Sequence, residues 1–190
     1  VKDIQERQFI SSNARILKYR KMPRTDENGQ TNGEFSAIDA SFGLGYAFQF
    51  EEDFTIGANI NYVTSKIDNY SSAAISANAG VTYHNEETKE TVALVFRNFG
   101  YQFQPYNGVR EKMPFRADIG YTRIMPNFPL AYTITFHDLQ QFNISQNYDI
   151  NGQEVGFGRK LLDHFSGGIE LFPEQAFNLR LGYNVKRGNE

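Results

Sequence analysis

From Phe35 to Phe50 the sequence reads FSAIDASFGLGYAFQF. After the first residues, Ile38, Ala40, Phe42, Leu44, Tyr46, Phe48 and Phe50 are apolar, and the positions between them are small or polar (Ala37, Asp39, Ser41, Gly43, Gly45, Ala47, Gln49). A period of two sends successive side chains to opposite faces, which indicates a strand. The run is 16 residues long, against a usual strand of about five or six. The alternation recurs on Phe54–Tyr62, Ala73–Tyr83, Val92–Phe96, Phe115–Tyr121, Leu130–Phe136, Phe165–Leu171 and Phe177–Val185. That makes eight clear strands; a weaker ninth is expected from about Phe9 to Lys21, and no convincing helix is expected.

Periodicity alone does not say which face is inside. A soluble antiparallel sheet or a lipocalin-like barrel would turn the apolar face inward; an outer-membrane barrel would turn it to lipid. Three features favour lipid: the strands are long, the opposite faces are rich in Gly, Ser, Asn and Thr, and the centres of the apolar faces carry no charge. A mean hydropathy of -0.52 is compatible with this, because barrel strands average a lipid face and a wet face. The absence of any apolar stretch of ~20 residues excludes only a helical span.

The connections are short at Glu51–Asp53, His84–Glu90, Met125–Pro129 and Pro173–Ala176. They are mostly longer at Met22–Glu34, Asp68–Ser71, Gln104–Met113 and about Gln140–Asp163. Short turns on one side and longer loops on the other suit an outer-membrane barrel whose short turns face the periplasm. Aromatics such as Tyr46, Phe50, Tyr62, Tyr83, Tyr121, Tyr132, Phe177 and Tyr183 end the apolar faces, as interfacial rings do. The expected fold is therefore all-β: an antiparallel transmembrane β-barrel, with 1–190 a single barrel domain. Such barrels have even strand numbers and usually finish on an aromatic residue, whereas Lys186–Glu190 follows the final strand here. A part of a longer barrel is expected.

Composition narrows function less. A net charge of -3 without a basic stripe speaks against nucleic acid as a partner. With no Cys there is no disulfide, thiolate metal site or Cys nucleophile. The three His are scattered, which does not suggest a metal site. His137 and Asp138 are adjacent, so on a strand they would point to opposite sides. No G-x-S-x-G elbow is present. Gly156-Phe157-Gly158-Arg159-Lys160 lacks phosphate-loop spacing and is read as a flexible glycine-rich loop. Neither catalytic residues nor a cofactor is expected.

Two residue groups stand out. Asp39, Arg97, Arg116, Asp118, Glu170 and Arg180 share the small-polar faces of their strands. Charges inside a barrel need partners or water, so these six are expected to form a lumen network; a transport path is the alternative. The longer loops are expected to carry recognition. Tyr106, Phe142, Tyr148 and Phe157, with Gln102 and Phe103 nearby, would lie near or above the outer interface, anchoring the membrane edge or contacting a partner.

Several segments taken in order carry a family resemblance: GEFSAIDA (Gly33–Ala40), DNYSSA (Asp68–Ala73), GVTYH (Gly80–His84), FRNFGYQ (Phe96–Gln102), MPFRADIG (Met113–Gly120), NFPL (Asn127–Leu130), HDLQ (His137–Gln140), DHF (Asp163–Phe165) and LRLGYN (Leu179–Asn184). Their order and spacing resemble the PorQ family of FadL-type outer-membrane barrels of the type IX secretion system, over roughly residues 30–187. The resemblance implies a non-enzymatic component in the bacterial outer membrane. It implies anchoring of a surface-exposed PorZ-like partner beside PorV and PorU. Members of that family are longer than this chain, and no catalytic residue is carried over. A FadL-type transporter of hydrophobic small molecules is the alternative. It would need a lateral opening at a strand kink and an N-terminal plug, for which residues 1–34 are too short and polar. An outer-membrane enzyme is the third reading.

Overall fold

A computed structural model describes residues 7–144 and 153–186. The elements are β1 (Gln8–Lys18), β2 (Met22–Thr25), β3 (Thr31–Phe35), β4 (Ala37–Gln49), β5 (Phe54–Ile67), β6 (Tyr70–Asn85), β7 (Glu90–Gln104), β8 (Arg116–Ile124), β9 (Leu130–Phe136), α1 (Phe157–Leu162), β10 (Phe165–Leu171) and β11 (Leu179–Asn184). The protein is all-β, with one large antiparallel sheet. Nine strands run in the order β1-β4-β5-β6-β7-β8-β9-β10-β11, and β2 and β3 form a separate hairpin. Among the described residues β1 and β11 are the two edges of the sheet. The ninth strand is thus β1, and the 22–34 connection, read from sequence as a loop, contains most of the β2–β3 hairpin.

The ladders keep like faces together. Leu94, Ile119, Phe136 and Phe165 form one row across β7 to β10. Ala93, Gly120, Thr135, Ser166 and Asn184 form a row on the other face, reaching β11. A one-residue slip would mix the two, which is how alternation sets register.

Burial distinguishes the two faces. Among the described residues the buried apolar ones are all alanines: Ala37, Ala73, Ala74, Ala117 and Ala131. The buried polar residues are Ser72, Ser76, Gln102, Asp118, His137, Asp163 and His164. Meanwhile Leu44 is 70% exposed, Ile60 61% and Leu181 59%. A water-soluble sheet buries its large apolar side chains and leaves polar ones outside. Here the polar face is the more enclosed one, and the apolar face lies open.

Turn chemistry closes the hairpins. Asp26 Oδ1 accepts from the N–H groups of Asn28 (2.9 Å) and Gln30 (2.8 Å), turning β2 into β3. Asn85 Oδ1 accepts from Thr88 N–H at 2.8 Å in the β6–β7 turn. Asp68 takes a φ of 55° between β5 and β6, a conformation that Asp tolerates better than most residues. Two local expectations change. Residues 157–162 are helical, so the glycine-rich segment starts α1 instead of staying a loop. His84 lies in β6, not in a connection.

Two compact units emerge from the contacts. The first is formed by described residues within Val1–Ala47, Gly57–Asn78 and Asn98–Pro114; the second by those within Phe48–Ile56, Ala79–Arg97 and Phe115–Glu190. In the first, Asn78 donates to Asn59 Oδ1 (2.7 Å), Asn59 donates to Asn61 Oδ1 (3.2 Å), and Gln102 donates to Ser72 Oγ (2.8 Å). In the second, ion pairs dominate the polar face.

Candidate functional site

The second unit holds a dense polar cluster. In the β7–β8 ladder Arg97 stands opposite Arg116, and Val95 opposite Asp118. Arg97, Arg116 and Asp118 therefore share a face, with Asp118 two positions along the strand from Arg116. Both guanidinium groups reach the Asp118 carboxylate at 3.4 Å. Asp118 is 5% exposed, so a single buried anion is held by two partly exposed cations.

The start of the β9–β10 connection completes the cluster. β9 ends at Phe136, and Asp138 adopts a left-handed φ of 59°. This turn lets Asp138 N–H donate to Asp118 Oδ1 at 3.0 Å. It also removes the strand geometry that would have separated His137 from Asp138: His137 Nδ1 lies 3.0 Å from Asp138 Oδ2. The adjacent pair does meet, because the strand stops before it. Arg116 Nε stands 3.0 Å from Asp138 Oδ1, but its N–H is not aligned on that oxygen, so the contact is Coulombic. Gln140 Oε1 accepts from Ala117 N–H at 2.8 Å, and Leu139 N–H donates to Ala117 O at 2.8 Å, stitching the connection to β8. Burial pushes the Asp138 carboxyl upward, yet hydrogen bonds from His137 and Gln140 and the Arg116 charge outweigh it, and the group sits below its ordinary value.

Two arginines against two carboxylates make the cluster balanced. That suits a buried network, in which each charge needs a partner. The other three expected members lie elsewhere. Glu170 and Arg180 are directly opposite in the β10–β11 ladder and pair at 2.9 Å. Asp39 belongs to the first unit, where it accepts from Tyr19 Oη (3.0 Å) and from Ser65 Oγ. The Asp39 hydrogen bond and then its charge raise the Tyr19 phenol above its ordinary value. The six charges thus form one cluster of three and two separate sites. Shared faces were visible in the alternation, whereas their spacing across strands depends on register.

Histidine and asparagine partners were missed from sequence. Asn184 Nδ2 lies 3.0 Å from His137 Nε2. His164 Nδ1 lies 2.6 Å from His137 O, and its Nε2 lies 3.1 Å from Phe142 O. These ring nitrogens face carboxylate, amide and carbonyl groups, so neither imidazole is aimed at a nucleophile. His84 does sit between Thr91 Oγ1 (2.8 Å) and Glu86 (3.2 Å). Glu86 is 78% exposed there, so the arrangement has none of the water exclusion that strengthens a catalytic base. Among the described residues no group of His, Asp and Glu side chains is placed to hold a metal ion.

Of the loop aromatics, Phe142 is 55% and Phe157 69% exposed, with ring centres 5.5 Å apart. Tyr106 is half-buried at the start of the short turn Tyr106–Gly108 in the first unit. Tyr148 lies outside the described residues. Gln102 is buried, its Oε1 accepting from Glu111 N–H at 2.7 Å, and Phe103 stacks on Tyr62 at 6.1 Å.

Aromatic contacts also border the exposed apolar face of the second unit. Tyr121 packs on Tyr132 at 5.9 Å beside the β8–β9 turn. Phe96 stacks on Phe115 at 6.4 Å, and Phe136 meets Phe165 at 5.7 Å, toward the opposite strand ends. From Phe115 to Tyr121 the chain rises roughly 20 Å along the strand. Compared with known families and curated proteins, the chain matches no family model and no curated protein.

Proposed function

We propose that the chain is part of an outer-membrane β-barrel whose apolar face meets lipid and whose polar face lines the interior. The carrying observation is the inverted burial: alanines are the buried apolar residues, while Leu44, Ile60 and Leu181 lie open. Aromatic contacts bordering the apolar face add support, since barrels carry aromatic girdles at both interfaces. Single-cysteine labelling tests this directly, because the chain has no Cys. Spin labels at positions 44, 60 and 181 in vesicles should respond to oxygen and not to a water-soluble quencher; labels at positions 59 and 78 should do the reverse. Water exposure at all five sites would overturn the membrane reading.

Within that reading we take the protein to be a non-enzymatic component of the type IX secretion system, on the resemblance carried by segments such as FRNFGYQ and MPFRADIG. Its role would be to anchor PorZ-like, PorV and PorU partners at the outer membrane. The exposed Phe142–Phe157 pair supports a protein contact, as aromatics are enriched at interfaces. Pull-down from cells should recover such partners with the intact chain. Retained binding after deletion of 140–163 would eliminate this loop as the contact.

One observation favours FadL-type transport instead. Asn98, inside β7, has a φ of 57°, and the paired register between β7 and β8 ends at Arg97↔Arg116. Its N–H donates to Asn78 Oδ1 (2.8 Å), and its side chain donates to Pro114 O (3.1 Å). An irregularity of this kind re-aims a strand and offers a place for a lateral opening. Uptake of a labelled long-chain fatty acid by proteoliposomes, reduced by closing this position with a disulfide, would favour transport over anchoring.

A further inference from the structure

His164, 5% exposed, sits between α1 and β10 with both ring nitrogens against backbone carbonyls: Nδ1 2.6 Å from His137 O and Nε2 3.1 Å from Phe142 O. A carbonyl oxygen only accepts. A neutral imidazole has a single N–H to give, and the imidazolium has two. We propose that protonation of His164 closes a clasp that fastens the Phe142 segment of the β9–β10 connection to the strand ends. When the ring is neutral, the shorter contact to His137 O keeps the hydrogen. The Nε2 lone pair then faces the Phe142 carbonyl, and that end of the clasp is released.

The neighbouring histidine is a built-in contrast. As Asn184 is placed, its amide nitrogen donates to His137 Nε2, while His137 Nδ1 faces the Asp138 carboxylate. His137 is therefore fully bonded as a neutral ring with its hydrogen on Nδ1. Two imidazoles with centres 6.4 Å apart thus differ in which protonation state satisfies them. Other charged groups meet this region. Asp138, at the end of β9, is held by His137 and by Arg116 at 3.0 Å. Asp163, at the end of α1, is held by Arg159 at 2.9 Å. β11 contributes Asn184, which is neutral. Both carboxylates already have cationic or hydrogen-bonding partners of their own.

The clasp controls a surface. The Phe142 ring stands 5.5 Å from Phe157 of α1 and 6.5 Å from the His164 ring. Holding the Phe142 backbone fixes the exposed aromatic pair, and release lets it move.

Hydrogen exchange on the intact chain, corrected for intrinsic rate, tests it from acid to alkaline pH. Amides of residues 139–142 should be protected roughly three- to tenfold more on the acid side, the size of one hydrogen bond. Nitrogen-15 spectra should show both His164 ring nitrogens carrying hydrogen wherever that protection is present. The His164→Phe variant should lose the pH dependence, and His137→Gln should keep it. Equal protection at all pH values in the wild-type chain would overturn the clasp. So would a single ring N–H on His164 in the protected state. If His164→Phe does not fold, judged by lost protection in β10 and β11, the wild-type spectra remain decisive.

Discussion

The polar faces of the two units solve the same problem with different groups. In the first, amides and hydroxyls bond to one another: Asn78 to Asn59, Asn59 to Asn61, and Gln102 to Ser72. In the second, Asp118 is buried beneath Arg97 and Arg116. A neutral network loses little more than a hydrogen bond when one member is removed. Removing one partner from a buried ionic network strands the charge left behind. The two regions should therefore differ in their tolerance of substitution and of pH.

Asp118→Ala should have the largest effect. It leaves two arginines without their shared anion and the Asp138 N–H without its acceptor. A cost of about 3 kcal/mol is expected, at the low end for a broken buried pair because both arginines keep some water. Denaturant unfolding in detergent or vesicles measures it. Gly100→Ala comes next. A Cβ there would clash with the Ile75 backbone carbonyl on β6, so β6 and β7 must shift, at roughly 1–3 kcal/mol for overpacking.

Asn78→Ala removes the acceptor for Asn98 N–H and the donor to Asn59, with an expected cost of about 1 kcal/mol. If it costs as much as Asp118→Ala, the contrast between the units fails. Arg97→Ala should cost less than ~1 kcal/mol, because its side chain is 51% exposed and Arg116 remains on Asp118. Unchanged thermal stability with raised single-channel conductance would instead make Arg97 a lining residue of an open pore.

The smallest effect is a pH dependence set by Asp138 in the second unit. The Asp138 carboxyl is held below its ordinary value. Its stabilisation is therefore complete above the unfolded value of about 3.9 and is lost as pH falls through the lower folded value. Wild-type stability should fall over that acid window by slightly more than that of Asp138→Asn. Equal losses would remove Asp138 from the network.

The alternation from Phe35 onward was enough to foresee long strands, and the weak Phe9–Lys21 pattern marked β1. The site was only partly legible. Arg97, Arg116 and Asp118 could be assigned to a common face, but the β7–β8 register decided that all three meet. The same alternation grouped Asp39 with them, although its partners are Tyr19 and Ser65. His137 and Asp138 were misjudged because strand spacing was extended past Phe136, where Asp138 turns left-handed. His164 carried no sequence signal, since its partners are backbone carbonyls that no residue type announces.

By itself the sequence determined the period of two, and with it two chemically distinct faces on every long strand. It also determined the turn residues, because Asp, Asn and Gly accept backbone conformations that others resist. Only the tertiary structure decided which side chains are covered, Ser72, Gln102 and Asp118 against the open Leu44, Ile60 and Leu181, since alternation is unchanged when a sheet is turned over. Only register decided which charges meet, because a pair across strands depends on how two ladders are aligned and not on the spacing along either one.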